Sequence, residues 1–217
     1  MKQFQKNNQM KNNNDLVQHL ELHGVLISKP VRKAFESIDR KDFVREDLVP
    51  SAYGDMPLPI GSGQTISQPS TVAIMLELLE LKRGQKILDI GFGSGYTTAL
   101  LAAAASSGKI FAIELKSDLA KWGQKNIGKY NFIKKGLVQA TSGDGYEGMP
   151  EEAPFDRILV SAEAEEIPVA LKNQLKIGGI LVVPFQNALL KIRRKSNKKF
   201  ETSQIPGFVF VPLIGSK

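Results

Sequence analysis

An α/β fold built on a mostly parallel sheet is predicted by three observations. Short apolar runs alternate with helix-period stretches from residue 86 onward, a glycine cluster (Gly91, Gly93, Gly95) separates the first such run from the helix after it, and helix signals cease after Gly178-Gly179. Strands separated by helices imply right-handed crossovers and parallel neighbours. Where the helices stop, the last strands can pair only antiparallel.

Each element follows from local chemistry. Residues 1–14 (MKQFQKNNQMKNNN) are rich in Asn, Gln and Lys, cannot bury a core, and read as a disordered tail. The rest, 15–217, reads as one domain: a helical and loop segment over 15–83, then a core over 84–217. Helices are expected from 15 to about 23 and from 30 to about 38, the second opened by Pro30 in its first turn, with Ser28 or Lys29 before it. Pro57, Pro59, Gly61 and Gly63 exclude a helix or a central strand from 53–68. After Pro69, the apolar positions Val72, Met75, Leu76 and Leu79 recur at helical spacing until Arg83-Gly84. Then come a strand (86–90), a helix (96–105), a strand (109–114), a helix capped by Ser117 and running to about 130, and strands at 137–140 and 155–161. A helix is expected over 165–176, stopped by Gly178-Gly179, followed by strands at 180–185, 189–194 and 208–213.

Composition excludes several chemistries. With no cysteine among 217 residues, disulfides, thiolate nucleophiles, zinc–thiolate sites and iron–sulfur clusters are ruled out, and a reducing, cytoplasmic setting fits. The longest purely apolar run, 99–105, is seven residues, too short to cross a membrane. The net charge of +7 is local: three lysines lie in 1–14 and six cations in 191–199, and setting these nine aside leaves 20 cations against 22 anions. A solvated hairpin and a charged tail explain this better than a nucleic-acid footprint, so no nucleic-acid partner is expected, and the chain is read as a monomer.

The chemistry lies at strand ends. The strand KILDI runs into Gly91-Phe92-Gly93-Ser94-Gly95 and a helix, the arrangement that nucleotide-like ligands use. A dinucleotide fingerprint would need Gly or Ala where Tyr96 stands, and it has no use for the acid Asp89. A negative charge there would repel a pyrophosphate, so the ligand is read as cationic. Glu114, 23 residues after Gly91, ends the next strand where an acid can take two ribose hydroxyls, and Gly143-Asp144-Gly145 follows the third, where an adenine amino group could be bound. Each feature alone is weak; in this order, on successive strand ends, they converge. The two histidines, His19 and His23, four apart on an early helix, read as an exposed face rather than a metal pair. Trp122 reads as core.

Two segments are more specific. AYGDMPLPIG (52–61) followed by GQTISQP (63–69), with DIGFGSGY, GDG, APFDRILVSA and a terminal FVPL in order, closely resembles the protein-L-isoaspartate O-methyltransferase family over residues 16 to 214. The resemblance implies a Rossmann-like class I fold, S-adenosylmethionine as cofactor, and methyl transfer to the free carboxylate of isoaspartyl residues in damaged peptides and proteins. It assigns Ser67 as the active-site serine. Thr65, Ile66, Ser67, Asp89, Gly91, Gly93, Gly95, Glu114 and Asp144 match the family's cofactor contacts.

This chain departs from the family pattern at Phe92 (usually Thr), Glu163 (usually the second Ala of a small-residue turn) and Gln186 (usually Gly), with a shortened loop after Pro184. Glu163 is expected to bring negative charge near the substrate carboxylate. An isoaspartyl α-carboxylate, with an ordinary pKa of about 3.5, is already ionised at neutral pH, so the transfer needs no general base. Ser67 could orient that carboxylate or cap the helix beginning near Pro69. Two other functions fit the same cofactor site: an RNA methyltransferase using the basic 191–199 hairpin, and a cofactor-binding module that has lost catalysis.

Overall fold

The computed structural model describes residues 10–213 and 215. Its seven-stranded sheet has the order β5-β4-β3-β6-β7-β8-β9. The strands are β3 (Lys86–Ile90), β4 (Lys109–Glu114), β5 (Val138–Ser142), β6 (Phe155–Val160), β7 (Leu175–Phe185), β8 (Ala188–Arg194) and β9 (Phe200–Pro206). β5 to β7 pair parallel through β4, β3 and β6, while β8 and β9 add antiparallel. The order reverses at β3: the chain first builds outward through β4 and β5, then returns to place β6 on the other side. A crevice opens at such a reversal, beyond the strands' carboxyl ends.

Alternation along the strands divides the core. Ile87, Ala112, Leu159 and Val182 pack with α1 (Asn13–Leu22), α2 (Lys29–Ser37), α3 (Pro69–Leu78), α4 (Tyr96–Ala105) and α5 (Ser117–Gly128) on one face. Leu88, Ile90, Ile158, Val160 and Leu181 face the other side, covered by α6 (Val169–Asn173) and its flanking loops. Each fully buried side chain of this size contributes about 1.5–3 kcal/mol.

Several expectations need correction. Helix α1 starts at Asn13 with Asn12 capping the Asp15 amide at 3.0 Å, so residues 10–14 are ordered by capping, and Met10 packs on the core. Residues 1–9 of the expected tail lie outside the described residues. As expected, the 53–68 segment holds no helix and no central strand; it forms an antiparallel hairpin, β1 (Leu58–Gly61) and β2 (Gln64–Ile66), separate from the main sheet. Ser62 and Gly63, both at positive φ (51° and 71°), make the turn that lets a Pro- and Gly-rich stretch pair. Ser117 is the first helical residue of α5 and makes no side-chain cap. The helix expected over 165–176 shrinks to α6: Pro168 delays its start, and Leu175 has already joined β7 opposite Phe155. The last strand is β9, not 208–213; its exposed, polar residues pair with β8 at the sheet's edge without an apolar signature.

Candidate active site

The glycine loop leaves β3 at the reversal and is held open by its neighbours. The Gly91 amide donates to Ile113 O (2.8 Å) and the Gly93 amide to Glu114 Oε2 (2.9 Å). Gly95 must be glycine twice over: its φ is +87°, and a Cβ would stand 2.7 Å from Ile127 Cγ1 and 2.8 Å from Gly123 O. Gly145 approaches as closely from β5's side, where a Cβ would meet Ile90 Cγ2 at 2.7 Å and Ile113 Cγ2 at 2.8 Å. Glu114, buried at the end of β4, accepts the Lys116 amide on Oε1 (2.9 Å). With one bond on each oxygen it retains lone pairs, and it lines the cavity above the loop. Phe92, buried, lies against Gly123 of α5 and also lines that cavity.

Asp89 stands elsewhere than its strand-end position suggests. It shares the face of Ile87, is fully buried beneath the loop, and accepts the Thr98 hydroxyl of α4 on Oδ2 at 2.6 Å. Its Oδ1 is buried without a hydrogen-bond partner. Burial pushes its carboxyl up to about 7, against the Thr98 bond and with some help from Glu114. Asp89 thus ties α4 to the loop from behind, and the acid lining the cavity is Glu114. Asp144 accepts the Tyr146 amide at 2.8 Å beside Gly215, while Gly145 lines the cavity. Gly95 likewise acts through backbone shape rather than as a lining residue.

The hairpin delivers Thr65, Ile66 and Ser67 to the same cavity, with Ile66 buried. Helix α3 is N-capped at Gln68 without a side-chain bond from that residue; Asp55 Oδ1 instead accepts the Ser70 amide (2.8 Å) and Oδ2 the Gln68 amide group (3.2 Å). The capping task that Ser67 could have taken therefore falls to Asp55. Among the described residues, no hydrogen bond engages the Ser67 hydroxyl.

Ser67 sits between two cavities. The first holds the glycine loop, Glu114 and Gly145. The second is walled by Pro57, Gln68, Thr71, Val209 and Phe210. Thr65, Ser67, Ser161 and Val211 line both. Sequence reasoning missed the contributions of Ser161, Ala162 and 209–213 to these walls. Their signal was present, in the VSA at the end of β6 and the terminal FVPL, but the latter was read as a strand.

Glu163 lies next to this wall yet lines neither cavity. Its carboxylate accepts the Asn187 amide at 3.1 Å, so the charge expected beside the substrate is turned to the β7–β8 connection. The basic segment is largely engaged: Lys191 (2.7 Å) and Arg193 both pair with Glu80, Arg194 donates to Asn173 O (2.8 Å) and Leu175 O (2.6 Å), and Lys195 pairs with Glu201 (2.7 Å). The His19 and His23 rings lie 4.1 Å apart, tilted by 38°, with His19 Nε2 3.8 Å from Asp55. No group of three metal-ligating side chains, and no helix long and apolar enough to cross a membrane, occurs among the described residues.

Comparison with known proteins agrees with this geometry. The family model described as protein-L-isoaspartate(D-aspartate) O-methyltransferase matches residues 10–217. The protein-L-isoaspartate O-methyltransferase of Fervidobacterium nodosum is 43% identical over 202 residues, covering 91% of this chain and 99% of the relative. That of Flavobacterium psychrophilum is 42% identical over 207 residues, covering 94% of each. A Plasmodium falciparum structure, described as such an enzyme in complex with S-adenosyl-L-homocysteine, superposes with a TM-score of 0.85 at 26% identity, over 94% of this chain and 99% of that one. With its Rossmann-like sheet, its glycine loop and its matched length, the chain belongs to the protein-L-isoaspartate(D-aspartate) O-methyltransferase family.

Proposed function

We propose that this chain methylates the free carboxylate of isoaspartyl residues in damaged proteins, using S-adenosylmethionine, as a repair activity. Family membership and the neighbour described as bound to S-adenosyl-L-homocysteine support the reaction and the cofactor. The observation that carries the reading is the meeting of two cavities at Ser67, one suited to a cofactor and one to a methyl acceptor.

The residues present fit the cofactor: the close-packed Gly91–Gly95 and Gly145 backbones leave a cradle, and Glu114 supplies a carboxylate with lone pairs to spare. Thr65, Ile66, Ser67, Gly91, Gly93 and Glu114 would hold it directly. Asp89, Gly95 and Asp144 act from behind by shaping the loops. When bound, S-adenosylmethionine supplies a methyl group on a sulfonium centre.

The chain's own part is alignment. Ser67, its hydroxyl uncommitted, donates a hydrogen bond that orients the acceptor carboxylate at the shared wall. Val209, Phe210 and Val211 give the acceptor cavity an apolar side. No general base is required, since the acceptor arrives ionised. We further place the activity in one domain, acting as a monomer in the cytoplasm, a setting that the lack of cysteine suits.

The test is methyl incorporation from labelled cofactor into an isoaspartyl peptide, its aspartyl twin and a transfer RNA. Label in the isoaspartyl peptide alone is expected. Equal labelling of the twin, or labelling of the RNA, overturns the reading.

A further inference from the structure

The wall between the cavities is supplied on one side by residues 207–213, which follow β9 and join no sheet. Val211, Pro212 and Leu213 line the cofactor cavity, and Val209, Phe210 and Val211 the acceptor cavity. Val209 is 82% exposed, so the strap is not held in place by deep burial along its length. Hydrogen bonds pin its two ends.

At the far end, the Glu163 amide donates to Val211 O (2.8 Å) and the Leu213 amide to Glu163 O (2.7 Å). At the near end, the amides of Gly207 and Phe208 both donate to Asn187 O (2.9 and 3.0 Å). Asn187 is the second residue of the two-residue turn joining β7 and β8. Gln186 and Asn187 both have left-handed φ, 49° and 57°, the pattern of a tight hairpin turn. The Asn187 amide in turn donates to Glu163 Oε1. One residue therefore secures the far end with its backbone and the near end with its carboxylate, through the two peptide groups that flank Asn187.

Any residue could make the two backbone bonds, but the third needs a side-chain acceptor with the reach of Glu163. We infer that Glu163 is a positioning residue: its carboxylate locks the turn and the strap, setting the wall that cofactor and peptide share. Its charge acts on the Asn187 amide rather than on the substrate. The inference rests on the functional assignment above only in naming the two ligands.

The test uses the full-length protein with Glu163→Ala, Glu163→Gln and Glu163→Asp. Losing one hydrogen bond to a charged acceptor, about 1.5 kcal/mol or less here because the site is partly solvated, corresponds to roughly three- to tenfold in affinity. Glu163→Ala is expected to raise the isoaspartyl-peptide KM and the S-adenosyl-L-homocysteine Kd by that factor, with kcat within twofold. Amide hydrogen exchange at Asn187, Gly207 and Phe208 should accelerate in parallel. Glu163→Gln should restore both affinities and protection, because its amide oxygen accepts the same N–H, and the shorter Glu163→Asp should not. Unchanged affinities and exchange in Glu163→Ala overturn the inference, as does a Gln variant as impaired as the Ala variant. S-adenosyl-L-homocysteine binding and exchange need no methylation, so a parent protein inactive on isoaspartyl peptides would remove the functional assignment while leaving the latch to be judged on those two readouts.

Discussion

Replacing Ser67 by alanine separates alignment from architecture. The side chain is partly exposed, caps nothing and bonds to no other described residue, while Asp55 takes the Ser70 and Gln68 donors. Removing the hydroxyl should therefore cost less than about 0.5 kcal/mol of stability, or under about 2 °C in Tm for a chain of this length. A hydrogen bond to a charged partner contributes about 1.5–3 kcal/mol, so kcat/KM for an isoaspartyl peptide should fall roughly 10- to 150-fold. S-adenosyl-L-homocysteine affinity should stay within a few fold, since Glu114 and the glycine loop are untouched. Thermal melts, calorimetric titration and single-peptide kinetics on the same preparation give the three numbers. Parental kcat/KM in a folded Ser67→Ala protein would refute the role given to the hydroxyl, and a Tm drop of several degrees would return it to capping.

Two further perturbations probe the loop from behind and beside. Asp89 titrates at about 7 in the folded chain against an ordinary 3.8, so its contribution to stability is whole below about pH 4 and is lost as pH rises through 7. Asp89→Asn should flatten the Tm profile of the cofactor-free protein across that window; an unaltered slope would show that the carboxyl does not carry the shift. Gly145→Ala should destabilise by about 1–3 kcal/mol, because its Cβ would fall 2.7 and 2.8 Å from the Ile90 and Ile113 side chains, and should weaken S-adenosyl-L-homocysteine binding. An unchanged melting temperature would mean that the β5 loop relaxes freely.

What could be read from the residues was the buried part. Strands such as KILDI and FDRILV are apolar on both faces because helices cover both, and that continuity survives any loop variation. The β1–β2 hairpin was hidden by Pro59, Gly61 and Gly63, which signal a break but also permit a left-handed turn at an isolated pair. Strand β9 was hidden because edge residues such as Glu201 and Gln204 need no apolar alternation to pair. In the site, glycines and Glu114 were legible from their place at strand ends. Asp89 was placed on the wrong side of the loop, since a strand-end acid can point toward either face, and here the parity of β3 sends it to Thr98. The work of Asp55, Ser161 and the strap depends on contacts distant in sequence, such as Asp55 with Ser70 and Glu163 with Leu213.

Four residues, Thr65, Ser67, Ser161 and Val211, belong to both cavities at once. Filling one cavity fixes surfaces that the other also uses, so the two binding equilibria are thermodynamically linked, and whatever factor the first ligand applies to the second is returned in full. Any cooperativity between methyl donor and acceptor, or antagonism between their spent forms, then passes through this shared wall rather than through a motion of the whole fold.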